Sequence, residues 1–86
     1  MAKVVMYSTK LCPYCSAARR LLTKKGADME IIDVTFDHAK RQAMAKKAGG
    51  RTSVPQIFIG DTHIGGCDDL FDLDQEGALE PMLAAS

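Results

Sequence analysis

The stretch that decides the fold is residues 4–15, VVMYSTKLCPYC, in which an apolar run is followed by two cysteines three residues apart. Residues 4–7 have the composition of a buried strand. Pro13 is favoured in the first turn of a helix, because its missing N–H needs no partner there. The sequence therefore predicts that Cys12 and Cys15 stand at the junction of a strand and a helix.

Two cysteines at this spacing can form and release a disulfide. The positive end of a helix favours a thiolate at the N-cap, and the thiolate is the form that attacks disulfides. We therefore expect Cys12 to attack and Cys15, one turn inside the helix, to resolve the mixed disulfide. The alternatives are two core cysteines or a zinc site, although zinc normally takes four ligands and only Cys67, His38 and His63 remain to complete one.

Length and composition indicate a single domain over residues 1–86, with 47% hydrophobic and 26% charged residues. No stretch approaches the roughly 20 apolar residues of a membrane helix, and the N-terminus has no signal-peptide pattern, so we expect a cytoplasmic protein. Three cysteines do not suit a secreted disulfide scaffold. The scattered bases argue against nucleic-acid binding. We expect a monomer with neither membrane nor nucleic-acid partners.

Charge is divided unevenly along the chain, although the net charge is zero. All eleven lysines and arginines lie between Lys3 and Arg51, together with four acids. The residues after Arg51 hold seven acids and no base. Because a small fold interleaves its halves, this polarity in sequence need not become a polarity in space.

Periodicity and turn signals predict an α/β fold of order β-α-β-α-β-β-α, with a four-stranded mixed sheet flanked by helices. The predicted elements are a strand at 4–7, a helix at 13–25, a strand at 29–34, a helix capped by Asp37 and ending at Ala48, strands at 56–59 and 62–64, a helix opened by Asp68 and Asp69, and a last short helix after Gly77. We expect the first two strands to be parallel and the last two to form a hairpin around Gly60-Asp61.

Burial is also predicted for particular side chains. The expected core includes Phe36, Phe58 and Phe71, and His38 and His63 are expected to face solvent. The second helix is expected to pack through its small apolar positions, Ala39, Ala43, Met44 and Ala48.

Two further segments bear on the dithiol. Residues 52–55 precede a strand, where proline is allowed because its missing N–H need not join the ladder. If the Val54–Pro55 bond is cis, the backbone of Val54 is exposed beside the dithiol, where it can pair with an extended peptide-like substrate. Gly65 and Gly66 let another chain approach closely and lead into a helix N-terminus, which is an anion site. A small molecule bearing a carboxylate suits this site.

Taken together, C-P-Y-C at 12–15, V-P at 54–55 and G-G-C-D-D-L at 65–70 resemble the glutaredoxins, and the resemblance covers essentially the whole chain. It is closest to the small bacterial dithiol glutaredoxins. It implies a thioredoxin-like fold, a cis Pro55 and glutathione as the reductant.

The resemblance also implies site residues. Cys12 would accept glutathione and Cys15 would resolve the adduct. The residues implied for the glutathione site are Lys10, Tyr14, Arg41, Gln42, Ser53, Val54, Pro55, Gly66, Cys67 and Asp68. Within that set, the backbone of Val54 would pair with the glutathione cysteine, and the first turn of the third helix would hold the γ-glutamyl end.

A residue of the second helix, Arg41 or Gln42, would meet the glycyl carboxylate.

The chain departs from the family pattern at two places. Family members usually have threonine where this chain has Ser53. Many place a lysine three residues before the nucleophile, where this chain has Thr9, with Lys10 following it.

The function implied is that of a glutathione-dependent thiol–disulfide oxidoreductase acting on protein disulfides and on protein–glutathione mixed disulfides. Glutathione is expected as co-substrate, with no tightly bound cofactor and no metal, and deglutathionylation is expected to need Cys12 alone. Two alternatives stay open: a redoxin driven by thioredoxin reductase, and an iron–sulfur carrier that holds a [2Fe–2S] cluster with Cys12 of two subunits and two glutathiones. Pro13 argues against the cluster, since cluster-binding relatives tend to have glycine or serine there.

Overall fold

Four strands and four helices make up the part of the chain that the computed structural model describes, residues 2–85. They are β1 (Lys3–Ser8), α1 (Pro13–Lys24), β2 (Asp28–Asp33), α2 (His38–Lys47), β3 (Gln56–Ile59), β4 (Thr62–Gly65), α3 (Cys67–Gln75) and α4 (Leu79–Ala84). The predicted order is confirmed, with the expected short helix following α3, and β2 begins one residue earlier than predicted. Met1 and Ser86, which the single-domain prediction includes, lie outside the described residues.

The strands form one mixed sheet in the order β2-β1-β3-β4. β1 and β2 pair in parallel, from Lys3 opposite Asp28 to Ser8 opposite Asp33. β3 is antiparallel to both β1 and β4. Because β1 lies between β2 and β3, the loop that follows β1 has the end of β2 on one side and the start of β3 on the other. This loop carries Cys12.

Helices cover both faces of the sheet, because successive side chains of a strand point to opposite faces. Val4 and Met6 of β1 belong to the core cluster that β1 and β3 form with α1, α3 and α4. Tyr7 of β1 belongs to a second cluster with Met44 of α2 and Phe58 of β3. The result is a three-layer arrangement with α2 alone on one face.

Some of the burial predictions are wrong. Phe58 is buried as predicted, but Phe36 is 98% exposed and Phe71 is 38% exposed. Phe36 lies in the turn before α2 at φ 60°, and no core cluster of the described residues includes it. Ala39 and Ala43 are exposed, since α2 contacts the sheet mainly through Met44 and lacks a continuous apolar stripe.

Bases of the first half of the chain pair with acids of the second half. Lys25, which caps the end of α1, lies 3.0 Å from Asp74 of α3 and 2.8 Å from Glu80 of α4. The hydrogen bonds to Glu80 and Asp74 raise the pKa of Lys25. Arg51 and Asp69 also pair, at 3.4 Å. Within residues 2–85, no helix is both long enough and apolar enough to cross a membrane.

Candidate active site

The two cysteines of the C-P-Y-C motif stand at the start of α1, as predicted. Cys12 is the N-cap residue, with φ −125° and ψ 107°, and Pro13 is the first helical residue. The N–H of Cys15 donates a hydrogen bond to Sγ of Cys12 at 3.3 Å. The sulfur of Cys12 therefore lies at the positive end of the α1 dipole and accepts an N–H from the first helical turn. All three cysteines are free thiols.

The two thiols differ in exposure and in acidity. Cys12 is half-buried, whereas the side chain of Cys15 is buried. Burial, and after it a hydrogen bond to Cys12, raises the pKa of the Cys15 thiol to about 12, although the backbone N–H of Thr9 acts in the opposite direction. Cys15 is therefore protonated at neutral pH. The pair consists of an accessible sulfur and a protected thiol one helical turn behind it.

The segment before β3 lies against the accessible sulfur. The Val54–Pro55 peptide bond is cis, which confirms the implication of the resemblance. The carbonyl oxygen of Val54 lies 3.9 Å from Sγ of Cys12. Residues 42 positions apart in sequence therefore meet at the thiol, and the backbone of Val54 is beside it.

The turn between β4 and α3 faces the same place. Gly65 has φ +117°, and a Cβ at this position would collide with the side chains of Asp69 and Arg51, so the position needs glycine. Gly66 is the N-cap of α3, and its N–H donates to Oδ2 of Asp69 at 2.9 Å. Because glycine has no side chain, none from the N-cap satisfies the N–H groups in the first turn of α3. Those N–H groups can bind an anion.

These segments enclose a groove of about 330 Å³, within the size range of small-molecule sites. Its walls are Tyr14, Arg51, Ser53, Val54, Pro55, Gly66, Cys67, Asp68 and Asp69. Tyr14, between the two cysteines, is 64% exposed. Seven of the ten residues that the resemblance implied for the glutathione site line this one groove.

The other three, Lys10, Arg41 and Gln42, do not line it. Lys10 lies toward β2, where its N–H donates to Oγ1 of Thr35 at 2.9 Å, and it borders a different cavity of about 300 Å³ together with Cys15. Arg41 is adjacent to the groove segment, because its Nε donates to the carbonyl oxygen of Thr52 at 3.1 Å. Gln42 is exposed on α2.

Arg51 and Asp69 are groove residues that the sequence analysis missed. They form an ion pair at 3.4 Å, and their side chains are each about half exposed (48% and 47%), so the pair contributes little to stability. Asp69 also caps α3 through the N–H of Gly66, which agrees with the structural role expected for it. Their positions in the sequence could have indicated them as groove residues, since Arg51 is the last base before the V-P turn and Asp69 follows G-G-C-D directly.

Cys67 packs as a core residue. It is 8% exposed and belongs to the cluster that includes α1, α3 and α4. Burial, and after it the charge of Asp68, raises the pKa of the Cys67 thiol. Cys67 therefore packs in the core and also lines the groove.

Known proteins are similar to this chain in sequence and in fold. A sequence model of the family Glutaredoxin matches residues 4–64. The chain is 49% identical over 83 residues to glutaredoxin 3 of Escherichia coli K12, and the aligned residues cover 96% of this chain and 99% of that protein. It resembles the crystal structure of the buckwheat glutaredoxin–glutathione complex with a TM-score of 0.86 and 34% identity, over 95% of this chain and 76% of that one. The solution structure of glutaredoxin from Brucella melitensis matches with a TM-score of 0.84 and 44% identity, over 96% and 89% of the two chains.

Proposed function

The chain belongs to the glutaredoxin family, and from this membership we propose how its residues divide the family's reaction. The protein is a glutathione-dependent thiol–disulfide oxidoreductase with the thioredoxin-like fold. The observation on which the division rests is the position of Cys12, whose sulfur lies 3.9 Å from the carbonyl oxygen of Val54, a residue that lines the groove. A thiol placed there can exchange with a disulfide whose other atoms occupy the groove.

In the first step, the Cys12 thiolate attacks the glutathione sulfur of a protein–glutathione mixed disulfide. The bond between that sulfur and the protein sulfur breaks, a disulfide forms between Cys12 and glutathione, and the protein leaves as a thiolate. The N–H of Cys15, 3.3 Å from the Cys12 sulfur, supports the nucleophile before the attack. A second glutathione then attacks the adduct, which frees Cys12 and yields glutathione disulfide.

The groove holds the glutathione moiety. The backbone of Val54 pairs with its cysteine residue, strand to strand. At the γ-glutamyl end, the first-turn N–H groups at Cys67 and Asp68 bind the α-carboxylate, and the Asp68 carboxylate binds the α-ammonium. For the glycyl carboxylate, the contact of Arg41 with the Thr52 carbonyl favours Arg41 over Gln42, since it brings the guanidinium next to the groove segment.

Cys15 acts when the substrate is a protein disulfide. Attack by Cys12 then leaves a mixed disulfide with the protein, and Cys15 displaces the protein by forming the Cys12–Cys15 disulfide. The hydrogen bond and charge of Cys12 are among the causes that raise the pKa of Cys15. Both are lost once Cys12 is in a disulfide, so Cys15 becomes more acidic at the step in which it must attack. Two glutathiones then restore the dithiol.

The test compares wild type, Cys12→Ser and Cys15→Ser in an assay that couples glutathione and glutathione reductase to NADPH oxidation. With a glutathionylated peptide, Cys12→Ser should lose activity by at least about a hundredfold, while Cys15→Ser keeps it within severalfold. With a peptide disulfide, both variants should be inactive.

Loss of deglutathionylation in Cys15→Ser would contradict the division of roles. A wild type that turns over with thioredoxin reductase but not with glutathione would contradict the groove assignment and favour the redoxin alternative.

A further inference from the structure

A fully buried polar side chain stands directly behind the V-P turn. Gln56, the first residue of β3, is 0% exposed. In the described part of the chain, the other buried polar residue is Ser8. A buried amide costs free energy unless its donors and acceptor are paired. Its partners are all near the turn or on the neighbouring strand, which makes Gln56 a link between the two.

The direction of this link follows from the chemistry of its partners. Nε2 of Gln56 lies 3.0 Å from the carbonyl oxygen of Ser53 and 3.2 Å from Oγ of Ser53. A carbonyl oxygen can only accept, so the amide nitrogen must face Ser53 and Oε1 must face the other way. Oε1 lies 2.7 Å from Nε2 of His63, and since Oε1 can also only accept, Nε2 of His63 must carry a proton.

The far end of the link rests on the sheet. His63 is paired with Phe58 across β3 and β4, and its ring stacks on that of Phe58 with centroids 4.9 Å apart and planes 30° from parallel. Phe58 in turn makes an edge contact with Tyr7 of β1, at 5.9 Å and 77°. The ring that carries the donor nitrogen of His63 is therefore packed against Phe58, which Tyr7 contacts in turn.

The near end of the link is a turn that needs support. Ser53 is exposed and lies outside any helix or strand, between the end of α2 and β3. On one side, Arg41 holds the carbonyl oxygen of Thr52 at 3.1 Å. On the other, Gln56 holds both the carbonyl and the hydroxyl of Ser53. Val54, which follows Ser53, is the residue whose backbone faces the groove.

We propose that Gln56 and His63 are positioning residues for glutathione: the chain His63 Nε2–H to Gln56 Oε1, and Gln56 Nε2–H to Ser53, holds the Val54 backbone in its binding geometry. The inference rests on the proposed function, in which Val54 pairs with the glutathione cysteine. A turn ordered in advance does not have to lose its freedom when glutathione binds, so the link lowers KM. It touches neither reacting sulfur, so the chemical step does not depend on it.

The experiment measures kcat and KM for a glutathionylated peptide in four variants. Gln56→Met keeps the size of the side chain and removes its hydrogen bonds to Ser53 and His63, and it should raise KM by about five- to tenfold with kcat within twofold of wild type. Gln56→Glu places a carboxylate oxygen against the Ser53 carbonyl and should raise KM similarly. His63→Phe keeps the stacked ring without the donor and should raise KM by about two- to threefold. His63→Gln restores an N–H donor and should return KM toward the wild-type value.

Three controls separate positioning from a general loss of stability. Gln75→Met, at the exposed end of α3, makes the same substitution away from the link and should leave both constants unchanged. The double variant Gln56→Met/His63→Phe should be no worse in KM than Gln56→Met alone, because both act through one link. In wild type, nitrogen chemical shifts of neutral His63 should show the proton on Nε2.

The results that overturn the proposal are distinct from those that overturn the proposed function. A folded Gln56→Met variant with KM within twofold of wild type would overturn it, as would a fall in kcat at constant KM. A neutral His63 with its proton on Nδ1 would overturn the direction of the link. A wild type without glutathione-dependent activity would refute the proposed function, and the positioning role with it.

Discussion

The loop that carries Cys12 has two sides that are built differently. The groove side, toward β3 and β4, consists of residues 53–55 and 65–69. The turn side, toward β2, consists of residues 10–11 and 33–37. On the groove side, residues 53–55 and 66–69 line one groove of about 330 Å³, and the carbonyl oxygen of Val54 lies 3.9 Å from the Cys12 sulfur. On the turn side, Leu11 and Phe36 are 96% and 98% exposed.

The turn side is nonetheless ordered by hydrogen bonds. The N–H of Thr35 donates to Oδ1 of Asp33 at 2.8 Å, and Oγ1 of Thr35 accepts from the N–H of Lys10 at 2.9 Å. The hydrogen bonds from Thr35, with help from the charges of Lys10 and Lys40, lower the pKa of Asp33. Order alone therefore does not make a binding site. The N–H donors of the turn side are paired within that side, whereas the N–H groups in the first turn of α3 have no side-chain cap from the N-cap residue.

Each side also contacts a different thiol. The groove side reaches Cys12, while the cavity on the turn side is lined by Cys15 together with Lys10, Arg19 and Asp33.

The largest expected effect tests this difference. At pH 9, alkylation of Cys15 by iodoacetamide should be at least roughly a hundredfold slower in the folded reduced protein than in denaturant, because burial raises its pKa from 9.0 to about 12. Peptide mapping by mass spectrometry gives the two rates.

The same shift has a consequence for stability. The folded-state pKa of Cys15 lies above its unfolded value. The free energy of unfolding therefore keeps the full contribution of Cys15 below about pH 9 and decreases as the pH rises toward 12. Alkylation of Cys15 at the same rate in folded and denatured protein would show that the cavity on the turn side opens freely to the thiol.

The second prediction concerns the backbone of the groove side. Gly65→Ala should lower the free energy of unfolding by about 3 kcal/mol, because φ +117° is strained for alanine and the Cβ collides with Asp69 and Arg51. The matched control is Gly26→Ala, at φ +73° with open space around it, which should cost about 1 kcal/mol. Urea unfolding measures both. Equal losses in the two variants would mean that Asp69 and Arg51 move aside without cost.

The third prediction compares a charge on each side. Asp68→Asn should raise KM for the glutathionylated peptide by about tenfold, since a charged hydrogen bond to the γ-glutamyl ammonium is lost. Lys10→Ala, on the turn side, should change KM by less than about twofold. Steady-state kinetics with one glutathionylated peptide measures both. If Lys10→Ala raised KM as much as Asp68→Asn, the glutathione site would have to extend around Cys12 to the turn side.

The smallest expected effect is a gain in stability on the turn side. Phe36 has φ 60°, a left-handed backbone that suits asparagine much better than phenylalanine. Phe36→Asn should therefore raise the free energy of unfolding by about 0.5–1 kcal/mol and leave KM for glutathione unchanged. Phe71→Asn in α3 is the comparison, and it should destabilise, because that ring is only 38% exposed. Loss of stability in Phe36→Asn would show that the exposed ring makes a contact worth more than the backbone strain.

What could be predicted from the sequence is what depends on neighbours in the chain. The position of Cys12 as N-cap and of Cys15 one turn inside α1 follows from four consecutive residues, because a helix start is a local structure. The order of elements follows in the same way from periodicity and glycine-rich turns. The groove residues were named through the resemblance, since no local pattern shows that residues 54 and 66–68 meet beside Cys12.

Only the tertiary structure decided what depends on the order of strands in the sheet. Because β1 lies between β2 and β3, Lys10 falls on the turn side and Val54 on the groove side, although both flank the same thiol. The link from His63 through Gln56 to Ser53 exists because β4 pairs with β3, and the sequence analysis placed His63 in solvent. Hydrophobicity likewise placed Phe36 in the core, because the composition of a turn does not reveal which way its side chains point. Local chemistry determined the dithiol, and the packing of distant segments determined what binds beside it.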